Sequence, residues 1–226
     1  MKIKSMIISA AALVIAGCSG FLNQLPLDSP SSDTFLSSES QVLSYVNGLY
    51  AALPSLGQYG CGVRSVEKNS DNILSEKYDA RINGEYNDFS AQQDWSESYR
   101  NLRDVNYFFE YDMVQEENEA VTSLRGEVYF LRAWWHFNLL KKFGNVPVMD
   151  RFMDSVATVE GLQIPVTPRK EVAMFILSDL DKAIDMLSAR SVWSGLRICR
   201  EAALVLAMNV ALYEGSWEKY HADDVF

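Results

Sequence analysis

The 226-residue sequence holds three cysteines, two histidines, and only 20 Lys and Arg against 30 Asp and Glu. Each shortage excludes something. Three cysteines cannot build the disulfide framework of a small secreted scaffold. The two histidines, His136 and His221, have no Cys, Asp or second His at a useful ligand spacing, which argues against a metal centre. A formal net charge of −10 argues against a nucleic-acid binder, because phosphate neutralisation needs clustered Lys and Arg. Twelve glycines are far too few for collagen. What is present is 48% hydrophobic and 22% charged, an ordinary globular balance that excludes intrinsic disorder. The length suits one large domain or two small ones.

The amino terminus reads as an address. Lys2 and Lys4 precede a continuous apolar or small run from Met6 to Ala16. That run is shorter than the ~20 residues a membrane-spanning helix needs, and fits the apolar region of a signal peptide. Ile15-Ala16-Gly17-Cys18 then has the lipobox pattern of bacterial lipoproteins. The small residues let a peptidase close on the backbone before Cys18, whose sulfur takes a diacylglycerol. Residues 1–17 are therefore expected to be removed and Cys18 to be lipidated. The mature chain would lose Lys2 and Lys4, leaving 18 positive against 30 negative residues. Ser19, rather than Asp, follows the cysteine, which favours the outer membrane. The other cysteines, Cys61 and Cys199, could pair or could sit buried and free.

Residues 18–38, with Pro26, Pro30 and many serines, suggest an extended tether. A first helix is expected from Glu39 to Leu53, capped by Asp33 or Ser38. Along it Val42, Tyr45, Val46, Leu49, Tyr50 and Leu53 recur at spacings of three and four, and Pro54 ends it. Residues 55–94 are punctuated by Gly, Asn and Asp and read as a long irregular segment, of the kind that often carries function. A helix from Trp95 to Met113 follows. The next, from Glu119 to Lys142, is apolar on nearly every side between Val128 and Leu140, which predicts burial among other helices. Gly144 suits its C-terminal cap, and Pro147 prevents its resumption. A loop or short strand is expected over 145–168, and Thr167-Pro168 opens a fourth helix. A fifth runs from Arg200 to Glu214, with Gly215 as its stop. The pattern predicts an all-α fold of degenerate tetratricopeptide-like repeats, a stacked α-α superhelix with long loops.

Several blocks resemble the SusD/RagB family of outer-membrane nutrient-binding lipoproteins. They begin with Pro26-Leu27-Asp28-Ser29-Pro30 and Val46-Asn47-Gly48-Leu49-Tyr50-Ala51-Ala52-Leu53. Trp95 and Tyr99 follow, with Val105-Asn106-Tyr107-Phe108-Phe109. The most telling runs from Arg125 through Glu127, Arg132 and Trp134-Trp135-His136-Phe137 to Phe143-Gly144-Asn145-Val146-Pro147. Gly195-Leu196-Arg197, Ala211-Leu212-Tyr213 and Trp217 complete the order. The resemblance implies non-catalytic capture of an oligosaccharide or polysaccharide, starch-like or another glycan, or in some members peptide. It implies no cofactor and delivery to a SusC-like TonB-dependent transporter. It implies a lipid-anchored protein of the outer membrane, exposed at the surface. Such proteins are usually considerably longer, so residues 39–226 read as the N-terminal helical domain of one. A helical-repeat lipoprotein that binds only protein is the competing reading, and a glycoside hydrolase a third.

The irregular segment corresponds to the stretch from which that family's N-terminal half supplies ligand contacts. Within it Tyr78, Arg81, Asn83 and Tyr86 combine rings for stacking on sugar faces with groups that hydrogen-bond hydroxyls, so they are the candidate ligand residues. Asp71-Asn72 would fix a turn there. Phe130, Trp134, Trp135 and Phe137, on an all-apolar helix, read as core rather than as an aromatic platform. Arg125, Glu127 and Arg132 on the same helix read as buried structural charges, since an unpaired buried Arg is costly. Glu116-Glu117 and Asp223-Asp224 read as solvated faces rather than as glycosidase carboxylates. No nucleophile-elbow motif surrounds any Ser.

Overall fold

The computed structural model describes residues 35–53, 89–115, 118–153, 163–193 and 196–221. The elements described here lie within the compact unit Leu36–Phe226. They are α1 (Glu39–Leu49) with a 3-10 turn (Tyr50–Ala52), α2 (Phe89–Tyr111), α3 (Glu119–Phe143), α4 (Arg169–Met186), the short α5 (Arg190–Trp193) and α6 (Arg200–Tyr220). Among the described residues the only β pairing is one bridge, Val146 with Thr167. The all-α expectation holds.

Local chemistry fixes the helix ends. Ser38 is the N-cap of α1; the Gln41 side chain accepts the N–H of Ser38 at 3.2 Å and of Ser37 at 3.0 Å, satisfying donors that the helix cannot. Asn118 Oδ1 accepts the Val121 N–H at 2.8 Å to start α3. Lys141 and Lys142 occupy the last turn of α3, where cations suit the helix dipole. Gly144 then takes φ +72°, a conformation that side-chain-bearing residues rarely adopt.

Helix α3 is the hub. It packs along α4, and also against α1 and α2, while α4 packs on α6. Its buried residues fall on all sides, including Val128, Leu131, Leu139 and Leu140, as its uniform apolarity predicted. Phe108 and Leu102 of α2 and Ile176 and Leu180 of α4 are buried with them in the core. Full burial of each such side chain contributes about 1.5–3 kcal/mol. Gly126 lets α3 approach the end of α4: a Cβ there would lie 3.0 Å from Leu187 Cγ and 3.1 Å from its backbone nitrogen. Phe130, Trp135 and Phe137 are buried as expected, whereas Trp134 is only half-buried.

Three boundaries differ from the sequence reading, and one helix is added. The first helix tightens into a 3-10 turn at Tyr50. Residues 89–94 belong to α2, so the irregular segment is shorter than expected. Helix α6 runs through Gly215 to Tyr220, because Glu214, Trp217 and His221 all make contacts that outweigh the roughly 1 kcal/mol propensity cost of a helical glycine. Helix α5, four residues long, is an addition; it is too short to show a period.

His136 lies fully buried in α3 as a hydrogen-bonded core residue. Its Nδ1 sits 2.9 Å from the Arg132 carbonyl and its Nε2 accepts the Met149 N–H at 3.1 Å. This geometry requires the neutral ring with the proton on Nδ1. Burial holds the imidazole down at about 4, against an ordinary value near 6.5. The unfolded chain therefore binds this proton first as pH falls. Stability contributed by the neutral ring is complete above pH 6.5 and is lost down to about pH 4, on the order of 3 kcal/mol. We expect the stability gap between the wild type and His136→Leu to narrow by about that amount between pH 7.5 and 4, read by urea unfolding. A gap independent of pH would show that the ring is not so constrained.

Candidate functional site

The lipidation candidate Cys18 and the ligand candidates Tyr78, Arg81, Asn83 and Tyr86 lie outside the described residues, as do Cys61, Asp71-Asn72, Glu116-Glu117 and Asp223-Asp224. Cys199 is buried and free. What the structure does define is the pair of elements joined by residues 54–88. The chain leaves the 3-10 turn at Leu53 and re-enters at α2.

The 3-10 turn is clamped by charge. Glu127 of α3, fully buried, receives the Arg197 guanidinium at 2.8 Å (Nε) and 2.7 Å (Nη2), and the Tyr50 hydroxyl at 2.7 Å. The Ile198 N–H donates to that hydroxyl at 2.9 Å, and Arg197 Nη1 donates to Asn47 Oδ1 at 2.7 Å. Burial, reinforced by the Glu127 charge, pushes the Tyr50 phenol well above its usual range. The Tyr45 hydroxyl of α1 donates to the Asp104 backbone carbonyl of α2 at 2.7 Å. These contacts join α1, α2, α3 and the segment before α6 around one turn. The three charges singled out on α3 are all paired, each to another segment: Arg125 with Asp112, Glu127 with Arg197 and Arg132 with Asp179.

Between the 3-10 turn and α2 lies a cleft of about 330 Å³. Gly48, Leu49, Ala51 and Ala52 form one wall. Glu97, Arg100, Asn101 and Asp104 face them from α2, and Trp135 contributes from α3. The four polar residues stand at i, i+3, i+4 and i+7, the spacing of one helix stripe. Asn101 is buried, yet its Nδ2 has no hydrogen-bond partner; leaving such a donor bare costs about 1–3 kcal/mol. Among the described residues Glu97, Arg100 and Asp104 enter no ion pair. Burial raises the Asp104 carboxyl above its usual range, against the opposing pull of Arg103 and Arg100. The stripe was present in the sequence as spacing, but without the cleft it reads as a solvated face.

A second concavity, two adjoining hollows of about 570 and 800 Å³, lies where α3 ends, α4 begins and α6 ends. Tyr213, Trp217 and His221 line both. These rings are already engaged. His221 stacks on Trp217 at 4.0 Å, and the Arg169 guanidinium lies 4.1 Å from the Trp217 centroid and 5.2 Å from that of Tyr213. Arg169 in turn pairs with Glu214 at 2.8 Å. Lys141 covers Phe137 at 4.7 Å. This hollow is held by its own cation–π contacts; its Arg169 Nη2, like Asn101 Nδ2 in the cleft, is buried without a hydrogen-bond partner.

The fold is a helical stack of tetratricopeptide-like build that carries a hydrogen-bonding cleft, and comparison with known proteins gives its family. The SusD-like family model, described as starch-binding and associating with the outer membrane, matches residues 20–212. The chain belongs to the SusD-like family. SusD-like protein P2 of Formosa agariphila is 24% identical over 219 residues, covering 92% of this chain and 42% of the relative. A SusD-like protein of Bacteroides fragilis superposes with a TM-score of 0.67 at 32% identity, over 86% of this chain and 39% of that one. A laminarin-binding SusD-like protein shares the fold, with a TM-score of 0.62 at 20% identity, over 82% of this chain and 42% of that one. The chain thus spans less than half the length of these relatives.

Proposed function

We propose that this protein captures a glycan at the outer membrane without chemical change and passes it to a SusC-like TonB-dependent transporter. The observation that carries this reading is the match of residues 20–212 to a family described as starch-binding and outer-membrane-associated. Lipid on Cys18 would hold the protein there, each buried CH₂ contributing about 0.8 kcal/mol. Tyr78, Arg81, Asn83 and Tyr86 would supply stacking and hydrogen bonds from the stretch joining the two walls of the cleft. Thermal unfolding of the purified chain against a panel of neutral oligosaccharides tests the reading. Binding to the native state alone, at a hundredfold excess over Kd, adds about 2.7 kcal/mol of apparent stability. At roughly 2–4 °C per kcal/mol that is an upward shift of about 5–10 °C. Tyr86→Ala should remove the shift while leaving the ligand-free transition in place. No shift with any glycan would sink the reading, and sugar release in the same mixtures would replace capture with hydrolysis.

A second reading, a scaffold that binds only protein, has one observation in its favour. On α6 an apolar stripe of Leu204, Val205, Met208 and Leu212 is exposed, Met208 and Leu212 by about 70% each. Exposed stripes of this kind mark interaction surfaces. A silent glycan panel would leave this reading standing.

A further inference from the structure

We propose that the cleft between the 3-10 turn and α2 is a subsite for one neutral sugar ring, gripped by its hydroxyls. This rests on the glycan-binding reading above. The first support is Asn101: it is 8% exposed and lines the cleft, and its Nδ2 lacks a partner. Buried donors in native structures are nearly always satisfied, so an acceptor from outside the protein is called for. The second is the pattern of partners around it. Arg100 and Asn101 donate, while Glu97 and Asp104 accept as carboxylates. Neighbouring hydroxyls on a sugar both donate and accept, so a vicinal pair can meet both kinds at once. The third is charge. Two carboxylates against one guanidinium disfavour phosphate, sulfate or a uronate. The fourth is size: about 330 Å³ is at the low end of small-molecule pockets, roughly 300–1,000 Å³. It suits a ring or chain end rather than several residues of a polymer.

Two substitutions separate binding from folding. Asn101→Leu keeps the approximate volume and removes the bare donor, so stability should hold or rise. Gly48→Leu adds a side chain where a Cβ meets no atom within 4 Å, and removes a helical glycine, so it too should not destabilise. A purely structural role for either position predicts loss of stability with unchanged affinity. Calorimetric titration of the full chain with neutral gluco-oligosaccharides, maltose- and laminarin-derived, reads the affinity. We expect each variant to weaken binding at least tenfold with its unfolding midpoint unchanged or raised. If the wild type binds and both variants bind within twofold, Asn101 is satisfied by water only and the cleft assignment fails, while the glycan reading survives. If the wild type binds nothing in the panel, both fail together. Tighter binding of sulfated or uronate oligosaccharides than of neutral ones would overturn the ligand class.

Discussion

Asp179→Ala is expected to lower the free energy of unfolding by about 3–5 kcal/mol. Asp179 of α4 is fully buried and receives Arg132 of α3 twice, Nε to Oδ2 at 2.6 Å and Nη2 to Oδ1 at 2.8 Å. Arg132 Nη1 also donates to Asn106 Oδ1 and to the Asp150 carbonyl, each at 3.1 Å. Its guanidinium lies 4.5 Å from the Phe109 ring centroid and 5.3 Å from that of Phe175. Deleting the carboxylate strands a full positive charge among these rings. The neutral acceptors that remain cannot balance it. Lys182, 3.6 Å from Asp179 and half-exposed, contributes little, as surface pairs do. Because domains are stable by only about 5–15 kcal/mol, the loss should be visible as a large fall in the urea midpoint with an unchanged slope. The double substitution Arg132→Met with Asp179→Leu should recover most of it, since buried pairs often yield to apolar residues of similar size. A single-mutant loss below about 1 kcal/mol would mean that water reaches this pair.

The sequence shows why such a pair is hard to foresee. That Arg132 must be paired follows from its place on an apolar helix, but its partner is 47 residues away and is chosen by packing. The same holds for Glu127, whose partners Tyr50 and Arg197 come from segments 77 and 70 residues distant. Local signals were legible. Ser38, one of two caps offered for the first helix, and Gly144 mark helix ends through their own chemistry, and the uniform apolarity between Val128 and Leu140 marks the hub. Gly215 misled because tertiary contacts override intrinsic propensity. The cleft was half legible. Glu97, Arg100, Asn101 and Asp104 share a stripe by spacing, but only the opposing wall of Gly48, Leu49, Ala51 and Ala52 turns that stripe into a concavity. Tyr78, Arg81, Asn83 and Tyr86 rest on residue type and on the family resemblance, and for them titration is the deciding observation.

Glu127→Ala should cost about 3 kcal/mol and, unlike Asp179→Ala, should also weaken glycan binding. The carboxylate gathers three donors, two from Arg197 and one from Tyr50. Without it, Arg197 still donates to Asn47, and its side chain is 14% exposed, so water offsets part of the loss. This is why the expected cost falls at the lower end for broken buried pairs. Tyr50 loses its acceptor, and the hydroxyl that receives the Ile198 N–H is no longer oriented. The 3-10 turn then loses its tie to α3, and with it one wall of the cleft. Pre-organisation of that wall is what binding would draw on. A double-mutant cycle with Tyr50→Phe isolates the link: coupling of about 1–3 kcal/mol is expected for partners in one hydrogen-bonded network. Additivity within about 0.5 kcal/mol would show that the turn is held by packing alone. In that case Glu127→Ala should leave glycan affinity unchanged even as it destabilises the fold, which ties the electrostatic clamp and the binding surface to a single pair of measurements.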